Sequence, residues 1–239
     1  RIMEIDSYIF THKGGRDHNE DAEGKKDMEN GALFVLADGL GGHRYGEFAA
    51  ECVVETLLNA PEPDAGSEVP EWLRKQLEDA NGKMFALQEQ MSGNMKSTAV
   101  VLAVREAEAY WAHIGDSRLY YLHRSNIQSI TEDHSVADKK YKAGEITRAQ
   151  IASDEDQSCL LRALGSRDRN QPDLGKTMEP LERGDGFVLC SDGAWEYIRD
   201  QEILIDYLKA ETAREWAEQL LLRAAERIQE GNDNLSLIT

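Results

Sequence analysis

Basic residues are scarce in this chain. Lys and Arg number 27 against 45 Asp and Glu, for a formal net charge of -18. A phosphate backbone or an anionic membrane surface is repelled on average by that balance, which argues against nucleic acid as a partner. Cysteine is thin too. Cys52, Cys159 and Cys190 are an odd number, widely spaced and without a paired motif, which argues against a disulfide framework and a zinc site and predicts reduced, mostly buried thiols. No apolar run is long enough to span a bilayer, and residues 1–6 lack the pattern of a signal peptide. These readings predict a cytoplasmic protein with no membrane segment. A chain that opens on Arg1 is expected to have had residues trimmed upstream. Repeats, low-complexity tracts and composition shifts are missing as well, so residues 1–239 are expected to form a single domain, and a monomer.

What is present suffices for a core. Hydrophobic residues make up 41% and charged residues 30%, the proportions of a globular protein. Residues 5–11 alternate and predict a first strand, residues 32–37 a second, with a polar, charged loop between them. Residues 45–58 and 71–91 carry apolar positions at helical spacing. Short strands are expected at 97–104, 109–114, 119–123 and 127–130, too closely spaced for helical crossovers. Charged helical fragments at 136–143 and 147–151 fall in a segment, 134–161, that breaks the sheet rhythm and reads as a surface insertion. Strands at 176–181 and 186–190, helices at 201–208 and 213–229 and a final strand at 234–239 complete the chain. Blocks of antiparallel strands covered by helices place it in the α+β class.

One stretch organises the rest. Phe34, Val35, Leu36 and Ala37 form an apolar run that stops at Asp38, Gly39, Leu40, Gly41 and Gly42, a buried strand delivering a carboxylate into a turn. Glu20 and Asp21, Asp116, Asp192 and Asp233 repeat the pairing of an acid with a glycine, an asparagine or a strand end. Hard divalent cations take oxygen ligands, and rigid strand ends position carboxylates well, so these acids are expected to meet around metal ions. An Asp beside a Gly is also a common turn, and each position alone is explained by that. The glycine run lacks the Lys and Ser or Thr of a P-loop and the spacing of a dinucleotide fingerprint. Ser97 and Ser191 sit in no nucleophile elbow and read as structural residues.

Taken in order, the segments resemble the metal-dependent serine/threonine protein phosphatases, the PPM or type 2C family, in its bacterial-type catalytic domain. Residues 16–21 look like its Arg-x-x-Asn-Glu-Asp, and residues 38–42 its Asp-Gly-x-Gly-Gly. Ser97-Thr98-Ala99, Gly115-Asp116-Ser117-Arg118, Asp133-His134-Ser135, Arg162-Ala163-Leu164-Gly165, Ser191-Asp192-Gly193 and Asp233-Asn234 follow in register. The resemblance implies a four-layer α-β-β-α sandwich, two antiparallel central sheets flanked by helices. It also implies hydrolysis of phosphoserine and phosphothreonine by a water activated between two Mn2+ or Mg2+ ions, reversing Ser/Thr kinase signalling on phosphorylated protein substrates.

Position by position, Asp38 would bridge the two metals, with Asp192 and Asp233 completing one and Glu20 and the Gly39 carbonyl the other. Asp21 would hold the attacking water, and Arg16 would grip the substrate phosphate through its planar fork. Asp116 matches a residue that helps hold a third metal in similar proteins. Its usual companion is an Asp, and here Glu196 stands in that place. Many eukaryotic members carry a His, proposed as general acid, after the Asp-Gly pair; here that residue is Leu40, which donates no proton. His43 is expected to be a helix-start or surface residue, and His134 a structural one. Segment 134–161 resembles the flap bordering the family's active site. A catalytically silent pseudophosphatase, acting as a binding or regulatory module, is the alternative.

Overall fold

The parity of one strand sets the architecture. In a computed structural model, which describes residues 3–239, strand β3 (Gly31–Leu40) is buried along almost its whole length. Side chains alternate across a strand, and here both faces are covered. Leu33, Val35 and Ala37 pack with Ala49, Val53 and Leu57 of helix α1 (Tyr45–Asn59) and with Leu73, Leu77 and Met84 of helix α2 (Val69–Met91). Ala32, Phe34 and Leu36 pack instead against Leu119, Tyr121, Leu189 and Ile238 of a second sheet.

The sheet holding β3 runs in the order β2 (Asp21–Met28), β3, β5 (Ala99–Arg105), β6 (Glu108–Ile114), β9 (Asp173–Lys176), with β4 (Lys96–Ser97) also on β3. The other runs β1 (Ile9–His12), β11 (Leu235–Ile238), β10 (Gly186–Cys190), β7 (Arg118–His123), β8 (Asn126–Ile130). Every pairing is antiparallel. Tyr120, Leu122, Val188 and Leu237, on the outer face of this second sheet, meet Trp216 and Leu220 of helix α6 (Ala213–Arg227) and Ile203 of helix α5 (Asp200–Lys209). Three apolar layers thus separate four structural ones, the α-β-β-α sandwich that the family resemblance implies. No helix is long and apolar enough to cross a membrane among the described residues.

Four local expectations are corrected. The polar loop expected before β3 is a strand, β2, whose sequence Asp-Ala-Glu-Gly-Lys-Lys-Asp-Met has little apolar content. It is an edge strand, where lysines discourage further pairing, and it is held in register by β3. The strand expected at 176–181 lies at Asp173–Lys176 instead. The strand expected at 97–104 is split at Thr98 into β4 and β5. The strand also does not end with the apolar run, because β3 continues through Asp38 and Gly39 to Leu40.

Segment 134–161 holds helix α3 (Val136–Lys142), capped by the Ser135 side chain, and a 3-10 turn (Arg148–Ser153) with a Thr147 and Gln150 capping box. Its two ends are tied together by the Ser135 to Leu160 bridge and by a Leu161 N–H donated to the His134 carbonyl at 2.8 Å. A four-residue helix α4 (Asp192–Trp195) follows β10 directly.

Candidate active site

Antiparallel order brings the acids to one end of the sandwich. Asp21 begins β2 and lies directly across from Asp38 near the end of β3. Asp192 follows the last residue of β10, Asp116 precedes the first of β7, and these two strands pair with Cys190 opposite Arg118. Asp233 precedes β11, the other neighbour of β10. Oxygens of Asp38, Asp116 and Asp192 all lie within 4.8 Å of one another.

The backbone beneath is fixed by side chains. Thr98, at the break between β4 and β5, accepts the Asp38 N–H on its hydroxyl at 3.0 Å and returns its own N–H to the Asp38 carbonyl at 2.9 Å. The turn carrying Asp116 is clamped from several directions. Trp195 donates its indole N–H to the Asp116 carbonyl at 2.8 Å, and Gly115 donates its N–H to His134 Nδ1 at 3.0 Å. Arg118 makes a bidentate pair with Asp133 at 2.8 and 2.7 Å, its guanidinium 3.6 Å from the Trp195 ring centroid. All of this pair is buried. His134 spends its other nitrogen on Asp173 at 2.8 Å, so its contacts are structural.

Glycine makes room for Glu20. A Cβ on Gly46 would collide with Glu20 Oε2, and one on Gly39 would collide with the Gly46 backbone. Glu20 and Gly39 are therefore packed together over the start of α1. The Glu20 carbonyl accepts the Gly39 N–H at 2.9 Å, and the Glu20 N–H reaches Asn234 Oδ1 at 2.9 Å. Asn234 also donates to the carbonyls of Lys13 and His18, tying the loop before β2 to the start of β11.

Electrostatically the cluster is short of positive charge. Glu20 Oε2, Asp21 Oδ1 and Asp192 Oδ1 are buried oxygens with no hydrogen-bond donor. Burial raises the Asp38 carboxyl well above the usual range, reinforced by Asp21, Asp192 and Asp116. Asp116 is raised the same way by burial, then Asp192 and Asp133, with Arg118 opposing. Burial also lifts Asp21 to about 7, against the stabilising hydroxyl of Ser236 at 2.6 Å. Asp192 is raised by burial and by Asp233. Buried acids crowded together with unpaired oxygens need cations to keep their charge, and an all-oxygen donor set suits a hard divalent ion.

Arg16 stands at the rim, half exposed, with its guanidinium 3.5 Å from Asp233. Glu196 is lifted to about 7 by burial, then by Asp192 and Asp233, and Asp192 is also the acid that Asp116 lies beside, together with Asp38. Leu40 is exposed beside the site, and His43 lies on the surface with φ 56° just before α1. Sequence reasoning gave no role to several contributors: Gln157, whose amide donates to Asp192 Oδ2 at 3.4 Å, Ser236, Thr98, Trp195 and the Arg118 to Asp133 pair. Arg118 and Asp133 fall inside matched motifs, which was a signal. Gln157 and Trp195 carried none.

Comparison with known proteins agrees with this geometry. Residues 11–230 match the family described as protein phosphatase 2C. A putative protein phosphatase 2C-type from Streptococcus pyogenes is 32% identical over 227 residues, covering 93% of this chain and 91% of its own. The crystal structure of the serine/threonine phosphatase Stp1 from Staphylococcus aureus superimposes with a TM-score of 0.87 at 29% identity, covering 99% of this chain and 94% of that one. The catalytic domain of the serine/threonine protein phosphatase PstP, solved in complex with 2 manganese ions, gives 0.82 at 27% identity, over 97% and 95%. With its fold, its acidic cluster and its motifs in agreement, the chain belongs to the protein phosphatase 2C family.

Proposed function

We infer that this chain is a metal-dependent phosphoprotein phosphatase that hydrolyses phosphoserine and phosphothreonine and so reverses Ser/Thr kinase signalling. The observation that carries this reading is the convergence of Asp21, Asp38, Asp116 and Asp192, with buried carboxylate oxygens that no donor satisfies, in a phosphatase 2C chain.

Two Mn2+ or Mg2+ ions fit the donor set. Asp38 would serve both ions, Asp192 and Asp233 would hold one, and Glu20 with the Gly39 carbonyl would hold the other. The packing of Glu20 against Gly39 and Gly46 supports the second set. Asp116 and Glu196 are the candidates for a third ion, and the closeness of Asp116 to Asp38 and Asp192 favours Asp116 of the two. Divalent ions in such a site lower the pKa of water and offset charge that builds on the phosphoryl oxygens.

The chain's own groups do the rest. Asp21 commits Oδ2 to Ser236 and leaves Oδ1 free, which suits it to hold the attacking water as a hydrogen-bond acceptor. Arg16, half exposed at the rim, can present two parallel N–H groups of its guanidinium to a phosphate. Leu40 supplies no proton to the leaving oxygen, and we assign that proton to solvent at the site.

Residues 1–239 are read as one catalytic domain acting in the cytoplasm as a monomer, with 134–161 as a flap over the site. The tied base of that segment and the reach of Gln157 to Asp192 support the flap reading. The test is hydrolysis of an aryl phosphate and of phosphopeptides with and without Mn2+, alongside Asp192→Asn. Metal-dependent turnover lost in the variant is expected. Absence of any metal-dependent rate would favour the silent binding module, and activity confined to small phosphate metabolites would reject the protein substrate.

A further inference from the structure

A second group of metal-ligating side chains sits at the opposite end of the β7 and β10 strands. His123 closes β7, whereas the acids of the active site lie before the start of β7 and after the end of β10. Strand β7 runs five residue steps from Arg118 to His123, roughly 17 Å at about 3.3 Å per residue. Ligating atoms of His123, Glu179 and Glu182 lie within 4.8 Å of one another.

The histidine is built as a metal ligand is built. Its Nδ1 is held by Asp185 at 2.8 Å, and Asp185 in turn accepts from the Tyr121 hydroxyl at 3.2 Å and the Glu182 N–H at 2.9 Å. A carboxylate so occupied fixes the imidazole with its proton on Nδ1 and its lone pair on Nε2, the arrangement that orients and strengthens a histidine ligand. His123 is 7% exposed. Its Nε2 is buried without a hydrogen-bond partner and faces Glu179 Oε2 at 3.5 Å.

Charge points the same way. With the imidazole neutral, three carboxylates face one guanidinium, that of Arg124, which reaches Glu179 at 3.0 Å and Glu182 at 2.7 Å. Arg124 is more than half exposed and free to swing away. The cluster of His113, His134 and Asp173 differs, because both nitrogens of His134 are already spent.

We propose that His123, Glu179 and Glu182 form a second, distal divalent-cation site, selective for Zn2+ over Mg2+, with Asp185 orienting the histidine and Arg124 occupying the place when no ion is bound. One imidazole and two carboxylates make a three-ligand set suited to Zn2+, whereas Mg2+ prefers oxygen and retained waters. The ion would clamp the segment Glu179 to Asp185 against the turn between β7 and β8.

The experiment is a Zn2+ titration at pH 8 against a chromophoric chelator, in millimolar Mg2+ to fill the carboxylate-rich active site, paired with nitrogen NMR of the histidine rings. Wild type should take up one more Zn2+ than His123→Gln, with the His123 Nε2 resonance moving on binding. Glu179→Gln combined with Glu182→Gln alters two half-exposed side chains, so folding is preserved, and should weaken that uptake at least tenfold. Arg124→Ala should tighten it several-fold, because it removes the competing cation. Equal Zn2+ uptake in wild type and the double glutamine variant, or an unmoved His123 resonance, would overturn the proposal. So would an Arg124→Ala variant that binds Zn2+ no better than wild type.

Discussion

Removing the charge of Asp21 should remove a large part of a pH dependence that only the metal-free protein shows. Burial lifts the folded pKa of Asp21 from 3.8 to about 7. A group whose folded pKa is raised favours the fold while protonated there, below its unfolded pKa, and that contribution is lost as pH climbs toward the folded value. Between pH 5 and pH 8 the unfolded carboxyl is ionised throughout while the folded one loses its proton, which costs roughly 2 to 3 kcal/mol of stability at 1.36 kcal/mol per pH unit. That is a sizeable share of the 5–15 kcal/mol typical of a folded domain.

His113 works in the other direction. Burial lowers its pKa to about 4, so a rise in pH through its unfolded value restores stability. It does so equally in both proteins, which is why the quantity to measure is the difference between wild type and Asp21→Asn. Urea unfolding in a chelator at pH 5, 6, 7 and 8 gives that difference directly. Relative to wild type, the asparagine variant should gain about 2 to 3 kcal/mol across the series, and saturating Mn2+ should abolish or invert the gain. A difference that stays flat with pH, or a wild type that gains on the variant, would refute the claim that Asp21 is forced to carry an unfavourable charge in the empty site.

Other outcomes are equally concrete. Asp133→Ala leaves Arg118 buried and unpaired and should cost about 3–5 kcal/mol by thermal or urea unfolding, whereas Arg118→Met with Asp133→Leu should recover most of it; activity should stay low in both, because the Gly115 to Asp116 turn loses its support. Arg16→Ala should raise KM for a phosphopeptide about tenfold or more with kcat changed far less, since phosphate is gripped in ground and transition states alike. Gly46→Ala puts a methyl group into Glu20 Oε2 and should raise the Mn2+ concentration for half-maximal activity at least tenfold, although alanine favours the helix. Gln157→Ala removes a single hydrogen bond to Asp192 and should change activity less than fivefold.

The legible parts of this protein were those where burial and pattern coincide. The β3 run announced a strand covered on both faces, and α1, α2 and α6 announced themselves by spacing. Strand β2 did not, because register with β3 and the cover of α1 hold it, and a sequence of two lysines and three acids shows neither. Acids at strand ends pointed to the site, yet only pairing explains why Asp21 and Asp38 meet, residues from different strands placed opposite by a hairpin. Gln157 and Trp195 are invisible to local reasoning, since each reaches the site across a long sequence separation.

The position of β11 has a consequence for how the protein is made. It lies between β1 and β10 and is the only strand hydrogen-bonded to β1 among the described residues, while Asn234 beside it anchors the backbone of Glu20. A ribosome that has translated through α6 therefore carries a chain with nearly all its catalytic acids, an unpaired first strand and no assembled site. A chain cut short before residue 233 is therefore expected to show no phosphatase activity, because it lacks Asp233, the Asn234 contact to Glu20 and the partner strand of β1.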